Sequence, residues 1–524
     1  MTPIFYERRG PDRAWLVWPL VALAALIRFL VAGREAFWLD EGYSWWDARQ
    51  PLSALWNVVP DCDPHPPLYF ALMHGWIDLV GDGVVAMRAV SIVFGSAAVA
   101  AVFMAGRELD RMRGAPDSRI GIAPLAALCF ALTPFQIYFS IEARPYALLC
   151  FAAALATWGA LRLLRVDATS ERLRRFGDHS MSGLGWLMIV VGTTLALWAN
   201  NTAVLFVGAL AFYFIALWIL DRSGRRTIRP VVAAGIVVAL LWAADLPLLI
   251  KQMREVAGDF WIPKPTWRGL TGELRFTVGL DAYDAVWWIG AAMVGGLLSI
   301  GRRLSWRLAG LLAALAILPA VFNVAISFSM SPILIARALI AITPAFTIAL
   351  VAGVVLVRSS RLRTVLVIGL LAAHGAAVTK FFMNDHMKEP WRPIVARLAT
   401  VANGATVLVV PNELALPLGH EANAEGLALR VHGVPADYPA IGLPIRYPSG
   451  KCAPTAANVD AATVAAAIGD DRAVVLLTRR NNLYDPSDDV PAALRSLGFE
   501  LSTEEVFQPG DLRVMRFVRA TGAP

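Results

Sequence analysis

Apolar runs close to the ~20 residues that a helix needs to cross a bilayer recur along this chain. They lie at 14–33, 84–106, 120–139, 145–164, 184–199, 202–220, 230–250, 284–300, 308–327, 336–357 and 364–382. A shorter apolar piece, 67–80, carries His74 and Asp78, which favours a helix lying in the membrane interface over one that crosses. Charge decides this point. With 67–80 lying flat, the basic clusters Arg107/Arg111/Arg113, Arg165/Arg172/Arg174/Arg175, Arg222/Arg225/Arg226/Arg229, Arg302/Arg303/Arg307 and Arg358/Arg361/Arg363 all fall on the side of Arg8 and Arg9, as cytoplasmic loops require. The pattern therefore predicts eleven spans with the N-terminus inside. Residues 34–83, 140–144, 251–283, 328–335 and 383–524 fall outside. The run 14–33 reads as an uncleaved first span, because it is longer than a signal-peptide core and lacks a small-x-small cleavage site.

After about residue 384 the pattern changes. Strand-like runs at 406–410, 473–478 and 512–518 alternate with helix-like runs at 460–468 and 490–497, which predicts a small α/β domain. The fold class is thus a polytopic α-helical membrane protein of about eleven transmembrane helices with a small C-terminal extracytoplasmic α/β domain. The membrane part is 1–384, with its first outer loop at 34–83, and the extracytoplasmic domain is 385–524.

Composition agrees: 57% of the 524 residues are hydrophobic and only 17% are charged, and the mean hydropathy is +0.57, which excludes an ordinary soluble enzyme. The net charge of +7 resides in short inter-span clusters, so nucleic acid is not expected as a partner. Of the four cysteines, Cys129 and Cys150 lie in apolar runs, whereas Cys62 and Cys452 lie in segments expected outside, where a disulfide is chemically allowed. Spacing alone does not establish that these two pair.

Candidate chemistry concentrates on the outer side. Asp40 and Glu41 follow Trp38 and precede Tyr43, Trp45 and Trp46. Loop acids commonly do no more than keep a loop wet. Aromatic neighbours, however, partly bury this pair, and a carboxylate in such a place serves as a general base. Asp61, Asp63 and His65 sit in a proline turn. They form a weak candidate set for a divalent cation, and the prolines alone account for a turn that redirects the chain. Glu142 and Arg144 lie in the short turn between two spans, where they either pair or hold a phosphate. Arg337, near the outer end of a late span, snorkels to the interface or meets a lipid phosphate at the same level. Lys251 and Arg254, with Trp261 and Trp267 nearby, break the positive-inside pattern in the 251–283 loop and suit phosphate and sugar, although interfacial Trp is also ordinary anchoring. There is no phosphate-cradling Gly-rich loop.

The segments Leu39-Asp40-Glu41-Gly42-Tyr43, His65-Pro66-Pro67-Leu68-Tyr69, Glu142-Ala143-Arg144-Pro145-Tyr146 and Trp391-Arg392 together resemble the GT-C class of integral-membrane glycosyltransferases. Within it the nearest likeness is to the bacterial protein O-mannosyltransferase-like and rhizobial lipopolysaccharide glycosyltransferase-like group, with aminoarabinose transferases acting on lipid A a more remote one. The resemblance is strongest over 37–146. It implies an inverting enzyme in the bacterial cytoplasmic membrane that moves one sugar from a polyprenyl-phosphate carrier to a hydroxyl of an envelope glycan, lipid or protein. Asp40, with Glu41 beside it, matches the catalytic position. Tyr43, Asp63, His65, Glu142, Arg144, Arg337, Lys251 and Arg254 are then substrate-binding candidates, membrane lipids are partners, and no cofactor is required unless a divalent cation assists. A transporter or lipid flippase is the alternative, because membrane-embedded acids also serve proton-coupled transport. Transfer of whole glycans remains open within the transferase class.

Overall fold

The computed structural model describes residues 13–113, 121–173, 180–220, 228–256, 262–279, 285–384, 388–441, 452, 454–457, 459–479 and 484–520. Arg8, Arg9, Arg174, Arg175, Arg222, Arg225, Arg226 and Trp261, which entered the charge and aromatic arguments, lie outside these residues. The chain forms two compact units. One comprises 1–31, 88–257 and 262–383; the other comprises 32–87, 258–261 and 384–524.

The first unit is helical. Among the described residues, seven helices are long and apolar enough to cross a membrane, and up to nine if each of two bent pairs counts as one span. The protein is a membrane protein of many spans. All eleven apolar runs are helical, but two of the matching helices, Ser180–Ala199 and Ala285–Arg303, do not meet the test of length and apolarity. Both bends fall within single predicted runs. Ile122–Leu132 and Pro134–Ser140 meet at 61°, where Thr133 is extended because the residue before a proline avoids the helical region. The second pair bends by 73° between Trp242 and Leu246.

Small residues let these helices approach closely, as expected where burial from water no longer drives association. A Cβ on Gly192 would lie 2.7 Å from the Ala152 carbonyl oxygen, and one on Gly159 would lie 2.7 Å from the Gly185 carbonyl oxygen. These contacts lock Ser180–Ala199 against Tyr146–Leu173. Where Arg111, Arg162 and Arg165 come together, Glu108, only 1% exposed, accepts hydrogen bonds from all three.

The second unit carries a five-stranded sheet: β1 Thr406–Val410, β2 Arg430–Gly433, β3 Ala473–Arg479, β4 Phe499–Phe507 and β5 Leu512–Arg519, in the order β2-β1-β3-β5-β4. β1 runs parallel to β2 and β3, and β5 runs antiparallel to β3 and β4. Alternate residues of β1, β3 and β5 feed two cores, since side chains leave a strand on opposite faces. Leu408, Val410, Leu476 and Phe517 pack with Val464, Val490 and Leu494 of the helices Ala461–Ile468 and Asp489–Ser496. Val407, Val409, Leu477 and Val514 pack with Trp391, Leu398 and Leu418 of Trp391–Val401 and Ala415–Ala424. β4 is an edge strand with an exposed, Glu-rich sequence, the kind of charged edge that discourages pairing with another chain.

Residues 32–87 fold with this sheet rather than with the rest of the membrane part. They are largely helical: Leu39–Arg49, two single turns at Ala54–Asn57 and Val59–Cys62, and Leu68–Val80. The last spans about 20 Å at 1.5 Å per residue, too short to cross. Cys62 and Cys452 form a disulfide with a Cα–Cα distance of 5.2 Å, joining the first segment to the sheet domain.

Candidate active site

Asp40 and Glu41 occupy the first turn of Leu39–Arg49, where acids meet the positive end of the helix dipole. Trp38, extended just before the helix, accepts hydrogen bonds from the Glu41 and Gly42 amides at 3.0 and 2.9 Å. The two acids differ sharply. Glu41 is fully buried and its Oε2 lies 3.0 Å from Lys388 Nζ, itself buried. Asp40 is half-buried, and the guanidinium of Arg479 interacts favourably with its charge.

A strap at 388–391 holds this helix start. Glu389 accepts the Leu39 amide at 3.0 Å and the Trp391 indole N–H at 2.9 Å through Oε2, while Arg479 pairs with its Oε1. The Lys388 amide donates to Glu35 at 3.1 Å. Gly42 is required for a second contact: a Cβ there would lie 2.9 Å from Pro417 Cδ and 3.1 Å from Leu416 Cβ, so the glycine lets Leu39–Arg49 pack directly on Ala415–Ala424.

Tyr43, expected to touch substrate, is 5% exposed and donates its hydroxyl to Glu413, whose other oxygen receives Tyr484 Oη at 3.1 Å. Burial, then the neighbouring Glu413 charge, pushes the Tyr43 hydroxyl pKa well above its usual 10. Its hydroxyl is thereby engaged within the protein as a donor.

Asp63 is 2% exposed and accepts the His65 amide at 2.9 Å; the His65 ring Nδ1 is 2.5 Å from the same oxygen. This closes the proline turn. Asp61, Asp63 and His65 do not converge as ligands: no group of three His, Cys, Asp or Glu side chains suited to a metal occurs among the described residues. The cation set drawn from spacing is therefore not built by the fold, because Asp63 turns inward to organise its own loop.

The remaining candidates belong to the helical unit. Glu142 and Arg144, 0% and 3% exposed, lie between Pro134–Ser140 and Tyr146–Leu173, and Ser91 Oγ donates to the Arg144 carbonyl at 3.2 Å. Arg337 sits in the 3-10 turn Ala336–Ile342 with its guanidinium 5.6 Å from the centre of the Tyr146 ring, a cation–π distance. The turn of Glu142 and Arg144 and the late-span Arg337 therefore meet through Tyr146. Lys251 and Arg254 lie on exposed positions of Leu246–Val256.

Sequence reasoning missed Lys388, Glu389, Glu413 and Arg479. Each lies more than 340 residues from the residue of 39–43 that it meets, and no spacing rule reaches that far. The one local signal was the Lys388-Glu389 pair directly ahead of Trp391-Arg392.

No family model matches the chain, and no curated protein matches it in sequence. Solved structures do. ArnT from Cupriavidus metallidurans bound to undecaprenyl phosphate superposes with a TM-score of 0.61 at 12% identity, covering 97% of this chain and 98% of that one. Its apo form gives 0.60 at 13% identity with the same coverage. The oligosaccharyltransferase of Archaeoglobus fulgidus, tethered to an acceptor peptide, gives 0.51 at 12% identity, covering 80% of this chain and 64% of that one. Helical spans followed by a small sheet domain, superposing on these structures over nearly the whole chain, thus give this chain the fold of the GT-C glycosyltransferases.

Proposed function

We propose that the protein is an inverting glycosyltransferase that moves a single sugar from a polyprenyl-phosphate carrier to a hydroxyl acceptor at the outer face of the bacterial cytoplasmic membrane. The observation that carries this reading is the unequal burial of the acid pair. Glu41 is committed to Lys388 and anchors the helix, leaving the half-buried Asp40 as the carboxylate able to meet a substrate. The GT-C fold supports the donor class, since ArnT, which shares that fold over nearly its whole length, binds undecaprenyl phosphate.

In the reaction, the acceptor oxygen forms a bond to the anomeric carbon from the face opposite the phosphate. The bond from that carbon to the phosphate oxygen breaks, and its electron pair leaves with the phosphate. The acceptor proton passes to Asp40 as the new bond forms. Attack from the opposite face inverts the anomeric centre. The departing phosphate gains charge and calls for cations; Arg144, Arg337 or the basic residues of the 251–275 loop are proposed for this role. The Cys62–Cys452 cross-link supports an oxidising compartment for the Asp40 segment, in keeping with the basic clusters expected inside.

The test is sugar transfer from polyprenyl-phosphate donors by the purified protein and by Asp40→Asn. Transfer that the substitution abolishes is expected. Full activity in Asp40→Asn removes this carboxylate from the mechanism, and no transfer from any donor favours a transporter or flippase.

A further inference from the structure

A groove of about 800 Å³ opens within the unit built from 32–87 and 384–524, inside the ~300–1,000 Å³ range of small-molecule sites. It is lined by Trp45, Arg49, Asp82, Arg392, His420 and Glu421. Its charges cancel in pairs. Arg49 Nη1 lies 2.9 Å from Asp82 Oδ2, and Arg392 Nε lies 3.3 Å from Glu421 Oε1. The Trp45 indole donates to Asp82 Oδ2 at 2.8 Å. The lining is therefore rich in donors and acceptors without an excess of positive charge, and Glu425 adds a further acid. A phosphate would meet three carboxylates here; a neutral polyol would meet fixed hydrogen-bonding groups beside an aromatic ring.

His420 sharpens this choice. It is 6% exposed, with its ring centre 4.2 Å from that of Phe37 and 5.4 Å from that of Trp45. Its Nε2 is 3.0 Å from the Asp82 carbonyl oxygen. A carbonyl only accepts, so Nε2 carries the proton. Burial lowers the ring's pKa and keeps it neutral, which makes Nδ1 an acceptor. Among the described residues that atom is buried with no hydrogen-bond partner. A buried acceptor left without a donor is costly; His420 lines the groove, and a hydroxyl that enters beside its ring would supply the donor.

We propose that this groove is a carbohydrate subsite that takes a neutral, hydroxyl-rich sugar residue of the acceptor. Its part in acceptor recognition rests on the transferase reading; its affinity for sugar does not. The experiment is saturation-transfer-difference NMR on the full-length protein in detergent micelles. Three neutral disaccharides, gentiobiose, mannobiose and N,N′-diacetylchitobiose, serve as sugar probes, and glycerol 3-phosphate serves as the anionic headgroup probe. The groove is filled from an exposed position by Ala424→Trp and loses its acceptor nitrogen in His420→Phe. At least one disaccharide should bind wild type and bind each variant about tenfold more weakly, with glycerol 3-phosphate giving no signal. Disaccharide binding that Ala424→Trp leaves unchanged overturns the proposal, as does binding of none of the three, or binding of glycerol 3-phosphate in their place. Donor hydrolysis by wild type, measured in parallel, tests the transferase reading separately: its failure leaves the NMR result to decide the groove.

Discussion

Lys388 Nζ lies 3.0 Å from Glu41 Oε2, with 1% and 0% of the two side chains exposed. This ion pair closes 347 residues of chain and fixes the helix start on which Asp40 stands. Charges taken this far from water hold only as a pair, and removing one partner leaves the other uncompensated. Lys388→Met is expected to destabilise the protein by about 3–5 kcal/mol. Glu41→Leu combined with Lys388→Met should restore much of that loss, as read from thermal unfolding midpoints. An unchanged midpoint in the single variant would show that the pair contributes nothing.

Tyr43 separates support from contact with substrate. Tyr43→Phe removes one of the two hydroxyls donated to the buried Glu413, at a cost of about 1–3 kcal/mol. Once folded, the variant should keep the wild-type turnover number for sugar transfer. A large fall in turnover with an unaltered unfolding midpoint would instead place the hydroxyl on the substrate.

The cross-link gives a third expectation. Cys62→Ser, Cys452→Ser and the double variant should lose the same stability, about 2–4 kcal/mol, because each breaks one and the same bond. Additive losses in unfolding assays would mean that the two sulfurs do not act together.

Acid provides a fourth. Burial holds the His420 pKa below its ordinary 6.5, against the opposing pull of the Asp82 carbonyl and the charges of Asp82, Glu421 and Glu41. The unfolded chain therefore binds a proton first as the pH falls through 6.5, so stability declines on acidification until the lower, folded-state value is passed. Between pH 7.5 and 5.5 the unfolding midpoint of wild type should drop further than that of His420→Phe. Parallel curves for the two proteins would count against this histidine as the source.

Periodicity made the helices legible in the sequence, and β1, β3 and β5 were legible because their apolar runs are short and β-branched. β2 escaped because it has only four residues, and β4 escaped because its exposed edge reads as polar loop. Asp40 and Glu41 stood out as a candidate pair from their aromatic setting, but nothing local distinguished them. The cations that meet them separately, Lys388 at Glu41 and Arg479 at Asp40, come from the distant part of the chain that carries the sheet. The same cause explains Tyr43, whose partner Glu413 lies in the 3-10 turn Asn412–Leu414, in a stretch that the composition marked only as soluble.

The unit that carries Asp40 is assembled from stretches near the two ends of the chain, 32–87 and 384–524, with the helical spans between them. A ribosome delivers 32–87 before the intervening spans and 384–524 only after them. Throughout synthesis of the intervening spans, the acid-bearing helix therefore waits without Lys388, Glu389 or the sheet. A product truncated before residue 384 is therefore expected to insert its spans while leaving the buried Glu41 carboxylate without Lys388.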